Sequence, residues 1–143
     1  MILVDANLLI YASDQRSSFH QKAQEWLDQK LTGPGRVGLP WSSILAFLRV
    51  TTNPRIYERP AATNEAWQRV TAWLGCRPVW IPHATERHAE ILGQLLALPG
   101  IRGKLIPDAD LAALAIEHGL ILCSSDGDFA RFSSLRWQNP LAG

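Results

Sequence analysis

Four aspartates stand where the chain changes direction. Asp5 follows the aliphatic run Ile2-Leu3-Val4, Asp108 opens the segment PDADLAALAIEHG, and Asp126 and Asp128 flank Gly127 in the polar turn that follows LILC. Carboxylates that meet without basic partners repel one another, so a pocket built from them is stable only when it holds protons or a hard divalent cation such as Mg²⁺ or Mn²⁺. A cation of that kind lowers the pKa of an attacking water and stabilises charge on a phosphate and its leaving oxygen, which is the chemistry of phosphodiester cleavage. No rival catalytic set is visible. The chain has no Gly-rich loop ending in Gly-Lys-Ser/Thr, no Gly-x-Ser-x-Gly elbow and no Cys/His spacing suited to zinc. His20, His83, His88 and His118 share no spacing and read as packing or surface residues.

For these acids to meet, the elements between them must bring distant turns to one edge. Ile2-Leu3-Val4 reads as a short buried strand that stops at Asp5 before a loop. Ser17 and Ser18 are placed to cap a helix over 18–31, with Phe19, Ala23, Trp26, Leu27 and Leu31 at helical spacing and Gly33-Pro34-Gly35 as its stop. A short strand from Arg36 to Leu39 leads through Pro40 into a helix over 41–52 carrying Ile44, Leu45, Phe47, Leu48 and Val50, ended by Asn53-Pro54. After a loop over 54–62, Thr63 starts a helix with Trp67, Val70 and Leu74 on one face and Gly75 at its end. A strand is expected from Pro78 to Ile81, then a helix over 84–98 with Ala84, His88, Ile91, Leu92, Leu95 and Leu96 spaced for burial. A basic loop over 100–104 precedes a helix that starts at Pro107 and has Gly119 past its end, and 120–123 is another buried strand.

Aliphatic strands alternating with amphipathic helices predict a three-layer α/β fold around a mostly parallel sheet. Ligands of such sheets bind beyond the carboxyl ends of strands near a switch in strand order, and Asp5 and Asp126 occupy such ends. Asp108 shares a helical stripe with Leu111, Ala112 and Ala115, so a core-facing helix aims it inward, while Asp110 points elsewhere and reads as a first-turn acid. Asp128 either joins the metal ligands or caps the short helix that begins near Phe129.

With 143 residues, 47% hydrophobic and 19% charged, the chain has the size and composition of one globular domain and not of a disordered segment. No apolar run reaches the ~18 residues of a membrane span, and an acid follows three aliphatic residues at the N-terminus, so neither a span nor a signal peptide is expected and the cytoplasm is the expected compartment. Cys76 and Cys123 form at most one bridge and read as buried free thiols beside apolar segments. The 14 basic and 13 acidic residues leave a net charge of +1, so a polyanion must be met locally. The local cations are Arg49, Arg55 and Arg59 around the 41–52 helix, and Arg102 and Lys104 before Asp108. The six tryptophans read first as core, although Trp26 and the apolar positions of helices 18–31 and 41–52 also suit an exposed groove.

The segments VDANLLIYA at 4–12, FLRVTTNPRIY at 47–57, PDADLAALAIEHG at 107–119, SSDGDFARF from 124 and LRWQNPL to 141 together resemble the PIN-domain ribonucleases, specifically the VapC-like toxins of toxin-antitoxin modules. The resemblance spans nearly the whole chain and implies a single Rossmann-like PIN domain over 1–143 with Mg²⁺- or Mn²⁺-dependent endoribonuclease activity on tRNA or rRNA. It also implies inhibition by a VapB-like antitoxin lying across helices 18–31 and 41–52, and a homodimer. By motif, Asp5, Asp108 and Asp126 correspond to catalytic metal-binding acids, Asp128 to a further metal ligand, and Asn7 and Ser124 to groups that support them. Arg49, Arg102 and Lys104 are the expected RNA contacts.

PIN domains commonly place a glutamate in the second helix, and Ala46 fills that register here. Ser42 and Ser43, three to four residues earlier and close to the same face, are positioned to hold a coordinated water instead. The missing acid also leaves an alternative: a catalytically weak PIN-like module that acts through protein or RNA binding. A response-regulator receiver fits worse, because no acid follows the middle strand at Ile81-Pro82-His83 and no lysine follows LILCSS.

Overall fold

The computed structural model describes residues 1–143. Its centre is β1 (Ile2–Val4), whose three aliphatic residues are all buried. β2 (Val37–Gly38) and β3 (Val79–Trp80) extend the sheet on one side, and β4 (Ile121–Cys123) and β5 (Trp137–Gln138) on the other, in the order β3-β2-β1-β4-β5. Every pairing is parallel, with Ile2 opposite both Val37 and Ile121, and Val4 opposite Cys123.

Because side chains alternate along a strand, β1 feeds two cores. Ile2 and Val4 pack with α1 (Ala6–Ser13), α2 (His20–Thr32), α3 (Trp41–Thr51) and α4 (Thr63–Leu74). Leu3 and Leu122 pack on the opposite face with α5 (His88–Leu96), α6 (Leu105–His118) and a 3₁₀ turn over Gly127–Arg131. This is the expected three-layer α/β arrangement, with the sheet in the middle. Gly38 suits the close approach of β2 to β1, since a Cβ there would crowd Leu3 Cδ1 and Pro82 Cγ, each at 3.1 Å, and Ile2 O at 3.2 Å. Gly119 ends α6 in the left-handed region at φ +68° and turns the chain into β4.

Several expectations are corrected. The residues after Asp5 form no loop: the aspartate caps α1, which carries Leu8 and Leu9 into the first core. Ser17 does not cap α2; its Oγ accepts from Phe19 N at 3.1 Å in the turn before the helix, which begins at His20. The helix expected from residue 84 begins at His88, and the one expected from Pro107 begins at Leu105. β5 was not foreseen, being a two-residue edge strand with only Trp137 partly buried. Trp67 and Leu45, expected in the core, are 43% and 59% exposed; the buried face of α4 is Ala66, Val70 and Trp73. Both cysteines are free, Cys123 buried as expected but Cys76 only half-buried. No helix is long and apolar enough to cross a membrane.

Candidate active site

The strand order fixes where a site can form. From β1 the sheet grows toward β2 and β3 on one side and toward β4 and β5 on the other, so the connections leave in opposite directions and a crevice opens at the carboxyl ends of β1 and β4. Asp5 N donates to Cys123 O at 3.0 Å, which sets Asp5 beside Ser124 at that edge.

Ser124 joins the two strand ends. It is completely buried, and its hydroxyl donates to Asp5 Oδ2 at 2.7 Å while accepting from Asn7 Nδ2 and from Asp126 N, each at 3.0 Å. Asn7 reaches across with its other end, Oδ1 accepting from Ser125 N at 3.3 Å. Asp5 Oδ1 accepts from Ala6 N at 2.8 Å, and Asp126 Oδ1 accepts from Asp128 N at 2.9 Å, so these acids also cap α1 and the 3₁₀ turn. One hydroxyl and one amide thus hold the loop after β4 against the start of α1.

Carboxylate oxygens of Asp108, Asp126 and Asp128 all lie within 4.8 Å of one another. Asp108 comes from the first turn of α6 and the other two from the loop after β4. The cap of the 3₁₀ turn is Asp126, which leaves the Asp128 carboxylate free to join the cluster; its nearest cation is Arg131 Nε at 3.8 Å. Asp5 is outside this group of three, with its oxygens held by Ala6, Asn7 and Ser124. Partial burial, followed by the charges of Asp126, Asp5 and Asp128, pushes the Asp108 carboxyl up to about 6, against a smaller opposing effect of Lys104. Burial also raises Asp5, partly offset by its hydrogen bonds to Ser124 and Ala6. An all-oxygen set whose members disfavour one another's ionisation suits a hard divalent cation.

Ser43 is buried on α3 and its Oγ has no hydrogen-bond partner in the protein, while Ala46 is half-buried one turn later. Lys104 immediately precedes α6, near enough to act on Asp108, and Arg102 is exposed in the same loop. Arg49 is exposed in the last turn of α3, and no contact ties it to the acids.

One group that positions α6 leaves no pattern in the sequence. The Glu117 side chain is fully buried and accepts from Thr85 N at 3.2 Å, while His88 Nδ1 lies 3.1 Å from its Oε2 and His88 Nε2 lies 2.7 Å from Asp110 Oδ1. Burial opposes a charged imidazole, yet the two carboxylates outweigh it and raise the His88 pKa. This cluster ties the start of α5 to the second and last turns of α6, on the face opposite Asp108, and so fixes the rotation of the helix that carries that acid. The separation of 22 positions between His88 and Asp110 hides it from any local pattern.

Comparison with known proteins agrees with this geometry. The sequence profile described as "PIN domain" matches residues 2–135. The chain is 41% identical over 142 residues to ribonuclease VapC37 of Mycobacterium tuberculosis, covering 99% of each chain. The fold resembles that of VapBC2 from Rickettsia felis, solved bound to a promoter DNA fragment, with TM-score 0.71 and 16% identity over 97% of this chain and 98% of that one. It also resembles VapC20 of Mycobacterium tuberculosis, a sarcin-ricin loop cleaving toxin, with TM-score 0.66 and 18% identity over 91% and 93% of the two chains.

Proposed function

The chain belongs to the PIN-domain family, among the VapC ribonucleases, and from that membership we propose that it is the toxin of a toxin-antitoxin module, an endoribonuclease dependent on Mg²⁺ or Mn²⁺ that cleaves tRNA or rRNA. The observation that carries this reading is the convergence of Asp108, Asp126 and Asp128 oxygens within 4.8 Å beside Asp5. A divalent cation held by these carboxylates would supply an attacking water of lowered pKa and stabilise charge on the phosphate.

The chain's own residues do the rest. Asn7 and Ser124 keep the Asp5 and Asp126 loops in register, so that the ligands need not reorganise when charge develops. Lys104 and Arg102 offer cations at the rim for the RNA backbone, which must cross an otherwise acidic edge. Arg49, on a different helix, is a more distant contact on the same strand of RNA.

The partner is a VapB-like antitoxin whose C-terminal part covers α2 and α3 and presents a basic side chain to the acids; a homodimer and a cytoplasmic setting complete the proposal. The whole of 1–143 is read as one PIN domain, supported by the profile match over 2–135. Incubating the pure protein with total RNA, with Mn²⁺ or with chelator, tests the activity. Fragments that form only with Mn²⁺ support it. Intact RNA under both conditions overturns it and favours the weak binding module that Ala46 suggests.

A further inference from the structure

Away from the acids, a pocket of about 200 Å³ opens between the ends of α1 and α3 and the start of α4. Its wall carries Arg59 and Arg69, the carboxylates of Asp14 and Glu65, and the rings of Tyr57 and Phe47. These charges do not neutralise one another. The protein's ion pairs are His88 with Asp110 and Glu117, His118 with Glu117, and Arg131 with Asp128. Glu65 and Arg69 stand one turn apart on α4, the spacing at which such pairs usually close, yet no pair forms. Asp14 Oδ1 accepts from Arg16 N at 3.0 Å and the Asp14 carboxylate faces the Tyr57 hydroxyl, so the two guanidinium groups and the Glu65 carboxylate are the groups open to a guest.

We infer that this pocket is a base-reading subsite that takes a guanine splayed out of single-stranded RNA. Guanine presents acceptors at O6 and N7 and donors on its Watson–Crick edge, so it matches a wall that offers arginine and carboxylate together, with an aromatic ring on which to stack. A bare phosphate matches it less well, because Asp14 and Glu65 would repel the anion. Position supports the same guest. α1 leaves the acidic site at Asp5 and ends at the pocket with Ser13, a rise of about 12 Å along the helix axis. An RNA strand that followed α1 from the acids would bring a nucleotide near the cut to the pocket. The inference rests on the ribonuclease reading and adds a preference for sequence near the cut.

The test uses full-length Asp126→Asn protein, so that bound RNA survives, and labelled octauridylate carrying one guanosine, one adenosine or neither, followed by fluorescence anisotropy in Mg²⁺. The guanosine oligomer should bind about tenfold more tightly than the adenosine one, the discrimination expected of one bidentate base contact. Arg69→Met and Glu65→Gln, both at exposed positions, should remove that preference while octauridylate binding and the melting temperature stay unchanged. Equal affinity for all three oligomers, or a guanosine preference that survives both substitutions, overturns the subsite. So does an Arg69→Met protein that loses affinity only for its antitoxin, which makes the pocket a protein-binding site. Failure of the ribonuclease reading is distinct: the unsubstituted protein then cuts no RNA in Mn²⁺ whatever its base preference.

Discussion

Replacing Asp108 with Asn should stabilise the metal-free protein at neutral pH. Its carboxyl is raised from 3.8 to about 6, chiefly by burial and then by the neighbouring acids. Two units at about 1.4 kcal/mol each give about 3 kcal/mol, and because Asp108 is only half-buried, solvent screening reduces this to about 1.5 kcal/mol. A carboxyl whose pKa rises on folding favours the native state fully below its unfolded value, and that contribution is lost as the pH climbs through about 6. The ionised native protein therefore carries the strain at about pH 7.5, and Asn removes it, for a gain in Tm of roughly 5 °C in a chain of this size. Circular-dichroism melting in chelator should show that gain at about pH 7.5 and little of it at about pH 4, where the native carboxyl is protonated and the strain is already relieved. Added Mn²⁺ should raise the Tm of the unsubstituted protein more than that of the variant. A variant that melts lower than the parent at neutral pH in chelator would mean that Asp108 is held by favourable contacts and not opposed by its neighbours.

Ser124→Ala should cost about 2–3 kcal/mol in urea unfolding, because it leaves Asp5, Asn7 and the Asp126 amide each short of a partner in a buried network. The His88 pKa is raised, so its charged form stabilises the protein fully below the unfolded value near 6.5 and that benefit is lost as the pH rises through the native value. His88→Gln should accordingly destabilise more at about pH 5.5 than at about pH 9, and a pH-independent difference would count against the carboxylate sandwich. Ala46→Glu should tighten Mn²⁺ binding measured by calorimetry if α3 faces the acids at that position; unchanged affinity would show that the second-helix register is wrong.

The acids were legible in the sequence because each stands where a strand or helix begins or ends, and parallel topology sends such ends to a common edge. What sequence could not show is how the work divides among them. Asp5 and Asp126 both cap helical turns as well as facing the crevice, and only the position of α6 shows that Asp128 joins Asp108 and Asp126 while Asp5 stands beside them. α1 was hidden because Asp5 serves as both strand end and helix cap, with no intervening loop residue to mark the change. Helix periodicity placed α3 and α4 well but assigned Leu45 and Trp67 to the core, since a stripe of apolar residues does not say how wide the buried face will be. The start of α5 lies later than the apolar spacing suggests because Thr85 makes a turn of its own, its Oγ1 accepting from Arg87 N at 3.2 Å and its carbonyl from His88 N at 3.0 Å, while Glu117, 32 residues away, accepts from the Thr85 amide.

RNA cleavage is proposed to depend on a cation held by Asp108, Asp126 and Asp128. The most direct test of that dependence is to titrate Mn²⁺ into the metal-free protein while following, in the same buffer, binding by calorimetry and the rate of cleavage of a purified RNA. Binding and cleavage should share one midpoint, and Asp126→Asn protein should lose both. Cleavage that persists in Asp126→Asn protein, or that saturates at a Mn²⁺ concentration unrelated to binding, would contradict that dependence.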